Sequence, residues 1–106
     1  MLLAYCPAPP ATPFYVLAGL LEIGGEPAPA GTSVSILFDG APGPAGEITP
    51  GAEESGYKIL FAANSEADCA NHPGAAVAIV VNGSVVPTEL KVQEQDPLLL
   101  RDVSIP

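Results

Sequence analysis

The sequence predicts an all-β fold, an antiparallel sandwich of about seven strands with an extended N-terminal arm, and three observations carry that prediction. Apolar side chains recur two residues apart, as in Val34, Ile36 and Phe38, or Tyr57, Ile59 and Phe61. The runs stop at Gly24-Gly25, Asp39-Gly40, Asn82-Gly83 and at repeated prolines. No window combines a 3.6-residue apolar period with a cap and freedom from Pro and Gly, so helix is nearly absent. Alternation of period two with turn punctuation is the signature of a sheet buried on one face, because successive side chains leave opposite sides of the pleat.

The elements follow in order. Residues 14–23 form the first strand, with Tyr15, Leu17, Gly19, Leu21 and Ile23 on one side and Val16, Ala18 and Leu20 on the other. Both sides are apolar, which predicts cover on both. Residues 32–38 alternate cleanly, Val34, Ile36 and Phe38 inward against Ser33 and Ser35 outward, and Asp39-Gly40 turns the chain. Residues 41–55 are rich in Gly, Pro and Glu and predict at most one short edge strand around Glu47-Ile48-Thr49. Strands at 56–62 and 75–81 flank a polar loop, and Asn82-Gly83 pairs the second of them with residues 84–92 in a hairpin. Pro87 marks a bulge or an edge in that strand. Asp96-Pro97 turns again before a last strand at 98–105. The predicted core is Ile36, Phe38, Tyr57, Ile59, Phe61, Val77, Ile79, Val81 and Leu100.

At 106 residues the chain is one domain with enough apolar content to build a core: 48% hydrophobic against 14% charged, despite 13 prolines and 11 glycines. The division is an apolar Pro-rich arm at 1–13 and a single sandwich at 14–106. The net charge is −9, and Lys58, Lys91 and Arg101 are too few and too scattered to neutralise a phosphate backbone, which excludes nucleic acid as a partner. No apolar run approaches the ~20 residues of a membrane span. So low a charge density suits weak mutual repulsion in solution, or an uncharged surface covered by neighbours. The opening Met1-Leu2-Leu3-Ala4-Tyr5-Cys6 lacks a basic region, and prolines at 7, 9, 10 and 13 end its apolar run, so it does not read as a signal peptide. Tyr5 is too bulky for the position before a lipoprotein cysteine.

The two cysteines allow one bridge. Cys6 lies in the arm and Cys69 in the polar loop, both segments that need a staple, so a Cys6–Cys69 disulfide is expected, within one chain or between two. It places the protein in an oxidising compartment. The competing reading makes Cys69 a nucleophile with His72 as its base. Asp68 and Asn71 are the only further polar groups beside them, without a recognisable signature. The expectation is therefore no catalytic residue, no cofactor and no metal site. The acidic residues Asp39, Glu47, Glu53, Glu54, Glu66 and Asp68 read as solvated turn carboxylates, because no Asp-x-Asp-x-Asp loop is present. Asn82-Gly83-Ser84 fits the N-glycosylation pattern, which the hairpin already explains.

The order Phe14-Tyr15, Gly19, then 25–34 (Gly-Glu-Pro-Ala-Pro-Ala-Gly-Thr-Ser-Val), Phe38-Asp39-Gly40, Gly56-Tyr57, Gly74, Val77 and Val81-Asn82-Gly83 resembles the small β-sandwich modules of prokaryotic surface proteins. These are the transthyretin-like or carboxypeptidase-regulatory-like group with immunoglobulin-like strands. The resemblance covers about residues 14–105 and rests on turn and core positions. It implies a non-catalytic extracellular module acting as a spacer, adhesive unit or polymer subunit.

The arm is what that pattern does not need. Leu2, Leu3 and Tyr5 on a stiff proline spacer suit a strand that pairs with its own sandwich or with the next copy. A head-to-tail contact of the second kind propagates as a filament. The function expected is a non-enzymatic extracellular subunit that assembles with copies of itself into a surface filament or pilus. The alternatives are an adhesive or carbohydrate-binding module of a larger surface protein, and a viral capsid or tail decoration protein.

Overall fold

A computed structural model describes residues 4–6, 14–64, 68–92 and 98–106. The chain folds as an all-β sandwich of two sheets, with no helix among the described residues. The first sheet is built on β1 (Tyr15–Ile23), flanked on one side by β6 (Gly56–Phe61) and β5 (Glu47–Thr49). On its other side lie β9 (Leu98–Leu100) and β10 (Val103–Ile105), and the short β2 (Glu26–Pro27) pairs with its end. The second sheet runs in the order β4 (Ala41–Ala45), β3 (Val34–Phe38), β7 (Ala76–Val81), β8 (Ser84–Lys91).

Three tight turns set the registers. Ile23 pairs with Glu26, Phe38 with Ala41 and Val81 with Ser84, so each turn holds two residues. All six of those residues have positive φ, including Asp39 and Asn82, as a turn matched to the twist of a hairpin demands. The core lies between the sheets: Leu17, Leu21, Tyr57, Ile59 and Phe61 from the first meet Val34, Ile36, Phe38, Val77, Ile79 and Val81 from the second. Phe38 and Phe61 join them with ring centroids 5.2 Å apart. Every predicted core residue except Leu100 is buried.

The corrections are local. Among the described residues ten strands are present rather than about seven, because β2 and β4 were not expected and the last strand is split. Ala41–Ala45 pairs with β3 despite Pro42 and Pro44, which an edge strand tolerates because alternate N–H groups point away from the sheet. The last strand is parallel to β1, not antiparallel, and breaks at Arg101-Asp102. Its register sets Leu99 beside Leu17 inside and leaves Leu100 70% exposed. Leu98-Leu99-Leu100 has no polar member to declare its phase, so only pairing with β1 fixes it.

Gly19 shows why that last strand can lie where it does. A Cβ there would overlap the Arg101 carbonyl, so glycine lets the broken strand dip against β1. Opposite Gly19 stands Tyr57, whose buried hydroxyl donates to the same carbonyl. Burial raises the Tyr57 phenol above its ordinary value; the Asp102 carboxylate adds to the rise and Arg101 opposes it.

Candidate interaction surface

Two features outside the core bear on function: the clasp that holds the N-terminal segment, and the outer faces of the sheets. The expected bridge is present within one chain, joining Cys6 to Cys69 across 63 positions with Cα atoms 5.5 Å apart. Ala4 pairs with Cys69 as an isolated parallel bridge, and the Ala70 N–H donates to the Ala4 carbonyl at 2.8 Å. Asn71, fully buried, completes the attachment. Its Oδ1 accepts from the Cys6 N–H at 3.0 Å while its Nδ2 donates to the Cys6 carbonyl at 3.0 Å and to the Ala62 carbonyl at 2.6 Å. A side-chain amide here does what a neighbouring strand's backbone does elsewhere, satisfying both polar groups of one residue.

Tyr5 belongs to the same clasp. Its ring stacks on Phe38 at 5.7 Å and its hydroxyl accepts from the Ala62 N–H at 3.3 Å. Of the three arm anchors named from sequence, Tyr5 is thus engaged by its own sandwich, and Leu2 and Leu3 lie outside the described residues. Asn71 went unrecognised as a clasp residue because nothing local distinguishes a loop asparagine that will meet residue 6. Cys69 is a disulfide sulfur, so His72 has no thiol to activate. The ring nitrogens of His72 lie 3.1 Å from an Asp39 carboxylate oxygen and 3.0 Å from the Pro73 carbonyl. Asp39 also accepts from the Ala76 N–H, so this pair ties the turn after β3 to the loop before β7.

The outer faces are unusual in what they carry. On the first sheet the register aligns Leu98, Val16 and Leu60 in one row, and Leu100, Ala18, Lys58 and Glu47 in the next. Leu98 is 58% exposed and Leu60 47%. The cover expected on the second side of β1 is not provided by the described residues: Val16 and Ala18 are half-buried and Leu20 is exposed. On the second sheet the rows are Ala45, Ser35, Val80 and Val85, then Pro42, Leu37, Ala78 and Pro87. Neither of these two rows holds a charge, where water-facing strands ordinarily alternate to polar residues. Acidic groups sit in turns and breaks at Asp39, Glu53, Glu54, Asp68 and Asp102, and at exposed strand positions Glu22, Glu26, Glu47 and Glu89, while Lys91 stands beside Ala76 in the next row of the second sheet.

An open groove of about 620 Å³ lies among Glu26, Pro27, Pro29, Ala30, Pro50 and Gly51. Glu26 is the one titratable side chain lining it, so it brings no acid–base pair together. Among the described residues no group of three His, Cys, Asp or Glu is placed to hold a metal, and no helix is long and apolar enough to cross a membrane. No family model matches the chain, and neither a curated protein nor a solved structure matches it.

Proposed function

We propose that the protein is a non-enzymatic, extracellular structural subunit that assembles with copies of itself, as the repeating unit of a surface filament or pilus. One observation carries the reading. Beside charged positions such as Glu22, Glu47, Lys58 and Lys91, the outer faces expose apolar side chains, Leu60, Leu98 and Leu100 on the first sheet and Val85 on the second, and exposed apolar surface of this kind is characteristic of a contact that a partner covers. The intrachain disulfide supports an oxidising compartment, and the extracellular setting fits the surface-module resemblance. Within this proposal Tyr5 is committed to its own fold, and Leu2 and Leu3 are the arm residues left to reach a neighbour.

Sedimentation velocity and negative-stain microscopy of the oxidised chain test it across a concentration series. Oligomers that lengthen with concentration are expected. A chain that stays monomeric throughout would overturn the assembly reading, and glycan binding by that monomer would favour an adhesive module.

A further inference from the structure

We propose that Asn82 is an acceptor for asparagine-linked glycosylation, a modification site at the turn between β7 and β8. The proposal stands apart from the self-assembly reading and shares with it only the oxidising compartment that the disulfide supports.

The chain contains three asparagines, at 64, 71 and 82, and only Asn82 is followed two positions on by a hydroxyl residue, in Asn82-Gly83-Ser84. A hairpin explains the Asn-Gly pair but neither the amide nitrogen nor the hydroxyl, because a matching turn in the same sheet does without both. β3 and β7 are antiparallel neighbours, and each runs into a two-residue turn that leads to an edge strand. Asp39 and Asn82 open those turns, both at φ 49°, followed by Gly40 at 85° and Gly83 at 87°. The Asp39 N–H donates to the Ala76 carbonyl at 2.9 Å, and Asp39 Oδ1 accepts from the Ala76 N–H at 2.9 Å. Asn82 does the same with Ser33: its N–H donates to the Ser33 carbonyl and its Oδ1 accepts from the Ser33 N–H, each at 2.9 Å.

Both turns therefore need one side-chain oxygen and a glycine, and a carboxylate supplies that oxygen as well as an amide does. Where Ser84 begins β8, Ala41 begins β4, so the strand after the turn needs no hydroxyl. The second carboxylate oxygen of Asp39 has His72 as its partner, 3.1 Å away. Among the described residues Nδ2 of Asn82 and the Ser84 hydroxyl have no such partner. These two groups are the ones that oligosaccharyl transfer requires, the nitrogen as acceptor and the hydroxyl as the rest of its signal.

Accessibility agrees with the assignment. Asn82, Gly83 and Ser84 are all exposed, as a glycan requires, whereas Asn71 is fully buried. In the transfer Nδ2 gives up a proton and bonds to the anomeric carbon of a polyprenyl-diphosphate-linked oligosaccharide. The bond from that carbon to the diphosphate oxygen breaks, and the proton leaves with the diphosphate. Oδ1 is not consumed, so the hydrogen bond from the Ser33 N–H survives and the turn keeps its geometry.

Glycopeptide mass spectrometry tests this on the full chain, secreted from a host whose oligosaccharyltransferase occupies an acceptor tripeptide appended to the same chain. A glycan on Asn82 of the wild-type sequence is expected. Asn82→Asp and Ser84→Ala should each abolish it, and Ser84→Thr should retain it. Aspartate and alanine are what the matching turn carries at 39 and 41, so both variants should fold, which circular dichroism checks. An unmodified Asn82 beside an occupied control would overturn the proposal. So would sugar on the Ser84 oxygen, conversion of Asn82 to aspartate without sugar, or a glycan that survives Ser84→Ala. A glycosylated chain that stays monomeric would remove the self-assembly reading and leave this one in place.

Discussion

The two ends of the chain reach the sandwich by opposite means. The N-terminal segment at 4–6 is held by side chains: a disulfide, the Asn71 amide and the Tyr5 ring on Phe38. The C-terminal strands β9 and β10 are held by backbone pairing along β1, with Gly19 making room and Tyr57 capping the carbonyl at the break. A ladder needs a run of residues in register, whereas a clasp fixes a short segment at a few points. The first attachment therefore fails through single side chains and the second through whatever displaces backbone.

The largest effect is expected at the clasp. Removing the bridge with Cys6→Ser and Cys69→Ser should cost about 4 kcal/mol, the chain-entropy value for a separation of 63. That is a large share of the ~5–15 kcal/mol of a typical domain. Urea melts measure it, and a loss below ~1 kcal/mol would show that the noncovalent contacts alone fix the segment.

At the other end, Gly19→Ala should cost about 2–3 kcal/mol, because the added methyl meets a backbone carbonyl that cannot rotate away. Amide exchange should quicken in β9 and β10 but not at residues 4–6. Equal quickening at both ends would mean that the two attachments are not independent.

Asn71→Ala should cost about 2 kcal/mol, since it strands the Cys6 N–H and two carbonyls that the amide now serves. With the disulfide intact the segment stays tethered, so Tyr5 fluorescence should change while the global fold persists. An unchanged melt would transfer the clasp's strength to the bridge and the Tyr5 ring.

The smallest change is Tyr57→Phe, about 1 kcal/mol near neutral pH. The folded phenol is raised above the ordinary value near 10. Its stabilisation is therefore complete below about pH 10 and declines as pH rises further, because the unfolded phenol loses its proton first. Wild-type protein should lose stability on that alkaline limb, and the phenylalanine variant should lose less. Identical alkaline limbs would remove Tyr57 as their cause.

Much of this was legible in the residues. Val34-Ser35-Ile36-Leu37-Phe38 and Gly56-Tyr57-Lys58-Ile59-Leu60-Phe61 state their inward phase by spacing alone, and both fold in that phase. Asp39-Gly40 and Asn82-Gly83 specify two-residue turns because both positions require positive φ. Two cysteines in two otherwise unsupported segments implied one bridge, which the fold contains. The candidate surface was less legible. A low charge count suggested covered surface, but which residues gather on it depends on pairing between strands far apart in sequence.

What the sequence determined by itself is therefore what short-range geometry controls: the period of two, the turn dipeptides, and the core phase wherever polar residues alternate with apolar ones. Tertiary structure decided the rest. Leu98-Leu99-Leu100 carries no alternation, so β1 chose Leu99 for the interior. Ala41–Ala45 became a strand because an edge of β3 was open to it. Asn71 became a clasp, and Gly19 a point of close approach, because residues 6 and 101 arrive beside them. In each case the deciding partner lies far along the chain, and local spacing carries no record of a neighbour that only folding supplies.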